Sequence, residues 1–598
     1  MGNTRASKGP AAVRRAFFSF RRLCAVALLA SVAACGGGSG SSDGDGGNNP
    51  PPVNDKPATR AEAARFLNQA TFGATEAEAD RVMAMGYNAW IDDQFAKPAS
   101  SHRAYWDNEH AVLKAADPNS RGAGQREVLD SFYRQAVQGQ DQLRARVAYA
   151  LSQIFVISMV DNGVGDNARG VAGYLDMLGE HGFGNYRTLL EQVARHPMMG
   201  VYLSHLRNQK EDPARGRVPD ENFAREVMQL FSIGLKELNL DGSLKMVNGS
   251  AADTYTHDDI AGLAKVFTGW SWDGPDTADG RFFGNSSYID ADRQWRPMQG
   301  YSQFHSVSEK RFLGQSVAAQ GRADPAASLK TALDTLANHP NVGPFIGRQL
   351  IQRLVTSHPS PAYVQRVARA FNDNGSGVRG DMKAVIKAVL LDPEARSVGN
   401  ASSGKLREPV LRLTALLRAY GAASDSGKFL IGSTDDPGTA LGQTPMRSPS
   451  VFNFYRPGYV PPGSETGGLN LTVPELQITS ETTVAGYANF MRSGIQNGFG
   501  QNGTDFRAPR RDVQLNLSAE LTLADKPTEL VDLVAGKLLW GQADAALKAE
   551  IVAAVQSIAI PALRPDGSNQ ASVDSAKRNR VWTALLLAAV SPEYLVQK

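Results

Sequence analysis

From Ala58 to the C-terminus, apolar residues recur at steps of three and four in most segments, and runs of strict alternation are few. A helix turns about 100° per residue, so this spacing gathers the apolar side chains into one stripe that must be buried against a neighbour. The body is therefore expected to be mainly α, a large multi-helix domain whose long irregular loops leave room for small β-hairpins. Within Asp141–Met159, for example, Leu143, Val147, Leu151, Ile154 and Phe155 share a face. Within Tyr255–Trp270, Thr256 can cap with Asp259, while Ile260, Leu263, Ala264 and Phe267 form the stripe and Gly269 ends it. Val581–Val590 is apolar but shorter than the roughly 20 residues a bilayer-spanning helix needs, so it reads as a buried helix.

Several helices share a way of ending, with apolar residues placed seven and four positions before a proline. Leu190 and Val193 precede Pro197, Leu333 and Leu336 precede Pro340, Ile386 and Val389 precede Pro393, and Leu585 and Ala588 precede Pro592. The irregular distance between copies argues against a solenoid. His196, His339 and His358 each stand just before a proline, where a cation would meet the negative end of a helix dipole. Ser271–Arg311 and Gly421–Thr472 break the helical pattern with Gly, Pro, Ser and aromatic residues. Loops of that length in a compact domain carry function or small strands, so the working surface is expected there.

The N-terminus follows other rules. A basic region ends at Arg22, an apolar run covers Leu23 to Ala30, and small residues lead to Cys35. This is the pattern of a secretory signal. Val32-Ala33-Ala34-Cys35 resembles the lipobox of bacterial lipoproteins, which implies cleavage before Cys35 and acylation of its sulfur. Residues 1–34 are then the signal peptide, and residues 35–57, rich in Gly, Ser, Asn, Asp and Pro, are a flexible tether too polar to fold. Residues 58–598 form the helical body. Gly36 after the cysteine favours, by resemblance to enterobacterial sorting, the outer membrane, with the side faced left open. Arg14-Arg15 and Arg21-Arg22 leave both Sec and twin-arginine export open. The second cysteine, Cys24, lies in the discarded segment, so neither a disulfide nor a cysteine metal site is expected.

Composition narrows the function classes. The chain has 598 residues, 42% hydrophobic and 21% charged, which suits a globular body. Its net charge of +3 is a property of the signal. Setting aside the six basic residues among the first 34 leaves 57 basic residues against 60 acidic ones. No basic footprint for nucleic acid remains. Nucleophile-elbow, phosphate-loop and dinucleotide fingerprints are missing, as is any His-Glu-x-x-His spacing. No cofactor and no metal site is expected, although His205, His257 and His305 would be the histidines to supply one. Asn372-Asp373-Asn374-Gly375 lacks the glutamate of a calcium loop and reads as a turn before a helix capped by Asp381.

Five segments carry a resemblance. Pro219-Asp220-Glu221-Asn222-Phe223-Ala224-Arg225-Glu226-Val227-Met228-Gln229-Leu230-Phe231-Ser232-Ile233-Gly234 closely resembles the signature of the bacterial domain-of-unknown-function 1800 family. Arg65 to Gly73 is similar to its N-terminal motif, and Tyr255 to Trp270 is similar to its second helix signature, with Phe312-Leu313-Gly314 following. Pro449-Ser450-Val451-Phe452-Asn453-Phe454-Tyr455-Arg456-Pro457-Gly458-Tyr459 and Pro474-Glu475-Leu476-Gln477 complete the set. The resemblance implies an exported, helical protein and a partner of the domain-of-unknown-function 1501 family, an alkaline-phosphatase-like exported group. It implies no reaction and no catalytic residues.

On the signature helix, Phe223, Val227, Leu230 and Phe231 form the core stripe, Asp220 is the expected N-cap and Gly234 lies past the end. The opposite arc holds Asn222, Arg225, Glu226 and Gln229. It is either a solvated face or the wall of a cleft in which burial raises the Glu226 carboxyl. Two functional readings follow. In the first, the protein is a lipid-anchored binding or assembly component that meets an exported partner or an envelope polysaccharide. Its contacts would be Asn222, Arg225, Gln229, His257, Asp258, Trp270 and Trp272, the two indoles either stacking on sugar rings or anchoring their loop. In the second, it is a hydrolase of polysaccharide or peptidoglycan with Glu226 or Glu221 as general acid. That chemistry requires a second carboxylate opposite, for which Glu221, Asp258 and Asp259 are the candidates.

Overall fold

Helices dominate residues 54–400, 403–502 and 510–598, which the computed structural model describes; the expected signal segment, Cys35 and the tether through residue 53 lie outside them. Among the described residues there are 26 α-helices, accompanied by five two-stranded antiparallel sheets. The helices that position the candidate site are α1 (Gln142–Ser152), α2 (Asn222–Gln229), α3 (His257–Ala264), α4 (Val342–Leu354) and α5 (Pro409–Ala419).

Two apolar cores hold the body together. The larger gathers helices from Arg60 to Arg396 and includes α2, α3 and α4; the smaller joins α5 to the C-terminal helices Pro527–Leu539 and Gln570–Val590. Helix α1 belongs to both: Val147 and Leu151 point into the first core and Tyr149 into the second. The apolar run Val581–Val590 is the end of the buried helix Gln570–Val590. No helix of the described residues is long and apolar enough to cross a membrane.

All five apolar residues expected on one face of Asp141–Met159 are buried, but the helix stops at Ser152 rather than continuing to Met159. The backbone leaves it because other partners are waiting. Met159 N–H donates to the Met446 carbonyl at 2.8 Å and Ser158 Oγ to the Ser448 carbonyl at 2.7 Å. In α3, by contrast, the local signals suffice: Thr256 and Asp259 form the capping box. Gly269 then turns the chain at φ +73°, where a Cβ would lie 2.7 Å from the Tyr301 carbonyl oxygen. Asp381 caps the helix after the Asn372–Gly375 turn, accepting from the N–H groups of Lys383 and Ala384.

The histidines before prolines are structural, but not as cations. His196, His339 and His358 each accept a backbone N–H through Nδ1, from Met198, Asn341 and Thr472 respectively. Burial pushes the His196 imidazole down to about 3 and lowers the other two. The desolvation of a charged ring outweighs what the helix dipole offers, so these rings serve as neutral acceptors, with His196 the N-cap of Pro197–Tyr202.

Candidate binding site

The C-terminal end of α2 meets α4, the end of α1 and the loop around Val451–Gly458 at a cavity of about 360 Å³. That size lies at the lower end of the roughly 300–1,000 Å³ common for small-ligand sites. Helix α2 contributes Gln229 and Leu230, then the chain turns through Gly234. Gly234 sits at φ +73°, and a Cβ on it would lie 2.7 Å from the ring of Phe345. Glycine is thus required both by the backbone and by the close approach of a cavity wall. Helix α4 supplies Phe345, Gln349 and Arg353, which its period places at successive turns of one face.

Gln352 ties the opposite wall in place. Its amide donates to the Ser357 carbonyl at 3.0 Å and to the Pro457 carbonyl at 2.9 Å. The Arg456 N–H donates to Gln477 Oε1 at 2.8 Å, and the Arg456 guanidinium lies over the Phe452 ring at 4.5 Å. Two of the segments that carry the family resemblance, 219–234 and 449–459, therefore line this cavity, and a third, 474–477, braces its loop through Gln477.

Behind the cavity floor lies a buried ionic cluster. Glu408, fully buried at the start of α5, accepts through Oε2 from Tyr149 Oη, Gln153 Nε2, Gln443 Nε2 and Tyr455 Oη at 2.6–3.2 Å. Burial alone would push its carboxyl up, but Lys405, Arg146 and these donors hold it below the ordinary value. Lys405 pairs with Glu475, both buried, and Ser357 Oγ donates to the same glutamate. Arg146 Nη2 donates to the Arg353 carbonyl, and the Arg353 guanidinium sits 4.8 Å from the Tyr455 ring centre. Arg353 is 1% exposed; it donates to the Gln153 carbonyl at 3.4 Å, while its Nε and Nη1 have no partner. Gln349 Nε2 is also buried without a partner. A buried donor left unmade costs about 1–3 kcal/mol, so the floor holds unspent hydrogen-bonding capacity.

The residues singled out on the signature helix have separate fates. Asp220 accepts from the Asn222 N–H at 2.9 Å, yet Glu221 rather than Asp220 occupies the cap position. Asn222 is exposed, Arg225 and Gln229 are half-buried, and Glu221 pairs with Arg225 at 3.5 Å. Glu226 is only 7% exposed on a helix that packs against α3. Burial raises its carboxyl against the opposing pull of Arg225, and its Oε2 has no hydrogen-bond partner. No second acid is among the groups that shift it, and Glu226 does not line the 360 Å³ cavity that its neighbours Gln229 and Leu230 border.

The remaining candidates do not join this site. His257 and Asp258 are exposed in the first turn of α3. Trp270 and Trp272 are buried: the first donates to the Val266 carbonyl at 3.2 Å and the second lies under Arg293 at 4.6 Å. Their rings anchor the Ser271–Arg311 loop to the core. His205 stacks on Phe223 at 3.8 Å and His305 bonds the Thr268 carbonyl, so the three histidines do not converge. Among the described residues no group of three or more His, Cys, Asp or Glu is placed to hold a metal.

Sequence reasoning found two walls of the cavity, through the signature and the Pro449–Tyr459 segment, but missed Gln153, Gln349, Arg353 and Glu408. The available signal was that Phe345, Gln349, Gln352 and Arg353 share an arc of an otherwise apolar helix.

The chain matches the Protein of unknown function (DUF1800) family over residues 65–596 and belongs to that family. No curated protein and no solved structure matches it.

Proposed function

We propose that this member of the DUF1800 family is a lipid-anchored binding or assembly component of the bacterial envelope, and that the cavity between the signature helix and the Val451–Gly458 loop is where it takes hold of its partner. The observation that carries this reading is the convergence of two family-like segments, with a third bracing their loop, on one apolar cavity lined by cations and by no carboxylate. The acylated Cys35 and the tether hold the body at the outer membrane, and an exported protein of the domain-of-unknown-function 1501 family, or an envelope polysaccharide, is the partner presented to it.

The hydrolase reading has less support. Two-carboxylate hydrolysis needs a second acid across from the first, with the two about 5–10 Å apart. Glu226 is buried beside Arg225 and away from the cavity, and Glu221 is occupied by Arg225.

Capture from detergent-solubilised envelopes tests the proposal, using the full chain and its Gly458→Trp variant. Gly458 is an exposed residue at the cavity rim, and a Cβ there meets nothing within 4 Å, so a larger side chain can be placed beside the mouth. Loss of a specific exported protein or glycan with the variant is the expected result. Capture that is identical for both chains would remove the cavity from the account. Cys35→Ser should release the protein from the membrane fraction, and unchanged fractionation would remove the lipid anchor.

A further inference from the structure

Resting on the reading of this cavity as a binding site, we infer that its ligand is an organic monoanion, a carboxylate carried on an apolar body of aromatic size. The lining supplies the argument. Lys236, Arg353 and Arg456 border the cavity, and neither an aspartate nor a glutamate does. Most of the remaining wall is apolar, with Phe345 and Phe452 offering flat faces and Leu235 and Leu238 closing the side. Lys236 is already paired with Asp253 at 2.7 Å, which leaves the exposed Arg456 at the mouth and the buried Arg353 at the floor as the lining cations without a carboxylate partner.

The charge behind the floor points the same way. Arg146, Arg353, Lys405 and Arg412 are buried around the two carboxylates of Glu408 and Glu475, so cations outnumber anions in the cluster. A buried charge without a counter-charge is costly, and an anion in the adjoining cavity supplies one. The free N–H groups of Arg353 and Gln349 lie at that floor and are donors only, which suits an acceptor-only head such as a carboxylate. A dianion such as phosphate fits worse. The apolar walls penalise a second negative charge.

Such a head could belong to a free small acid or to the C-terminus of a partner chain, and the test separates them. Calorimetry on the full chain in detergent would compare 4-phenylbutyrate with 4-phenylbutyramide. It would also compare an acetylated tripeptide ending in phenylalanine with its C-terminal amide. We expect the free acid of at least one pair to bind about tenfold or more tightly than its amide, and the pair that does so identifies the source. Arg456→Gln, at an exposed position, should shrink the acid-to-amide ratio by about threefold to tenfold, whereas a merely structural role for Arg456 would lower acid and amide binding together and leave the ratio as it was. Gly458→Trp should abolish all binding. Equal binding of acid and amide in both pairs, or no binding by any probe, overturns the inference. If that happens while envelope capture still depends on Gly458, the anion is wrong and the binding site stands; if capture ignores Gly458, the site itself is wrong.

Discussion

The side-chain amide of Gln352 reaches across from α4 to the Pro457 carbonyl at 2.9 Å, joining a helix to a loop more than 100 residues further along the chain. The same amide holds the Ser357 carbonyl. Gln352→Leu keeps the volume and removes both bonds, which should cost about 1–3 kcal/mol. Hydrogen exchange is expected to rise selectively in Val451–Gly458, and an unchanged loop would show that Gln352 does not set this wall.

The close approach of Phe345 to Gly234 makes a second prediction. Gly234→Ala forces a Cβ into the left-handed region and against the Phe345 ring, and should destabilise the fold by about 1–3 kcal/mol. The ring has the cavity to move into, so ligand and partner binding should fall by more than the loss of stability accounts for. Denaturation curves read beside binding would separate the two.

Much of this architecture was legible in advance and the site was not, for a physical reason. The stripe of α3 and its Thr256–Asp259 capping box depend on residues within a turn of each other, so sequence spacing contains them. The early end of α1 depends on Met446 and Ser448, almost 300 residues away, and nothing local announces it. Glu226 reads as part of a polar arc, and only its tertiary surroundings make it a buried carboxyl. Arg353 lies in an apolar helix, and its unpaired state is set by Tyr455 and Gln153 arriving from elsewhere. The dipeptides of His196, His339 and His358 with proline did mark helix ends, but the neutral state of the rings comes from burial.

Glu408 provides a test at low pH. Its folded value is held below the ordinary one, so its contribution to stability is present above the unfolded value and is lost as pH falls through the folded value. Glu408→Gln leaves Arg146 and Lys405 underneutralised in the core and should cost about 3–5 kcal/mol at pH 7. It should also flatten the acid limb of the stability profile. A neutral effect on stability at pH 7 would contradict the role given to the cluster.

Asp130 should behave in the opposite sense. It is buried, and desolvation, with Glu127, Asp512 and Glu109 adding to it against Arg126, pushes its carboxyl up to about 8. A folded value above the unfolded one gives stability that is fully present below the unfolded value and is lost as pH rises through about 8. Asp130→Asn should therefore stabilise the protein at pH 8 by at least about 1 kcal/mol and remove the decline between pH 5 and pH 8. Urea titrations at those two pH values would decide it.

The central claim is that the cavity, and not the Glu226 carboxyl, carries the function. The most direct measurement is capture of the envelope partner by the full chain in parallel with Gly458→Trp and Glu226→Gln. Capture should be lost with Gly458→Trp and kept with Glu226→Gln. Retention with the filled cavity, together with loss when the single carboxyl is neutralised in a folded protein, would contradict it.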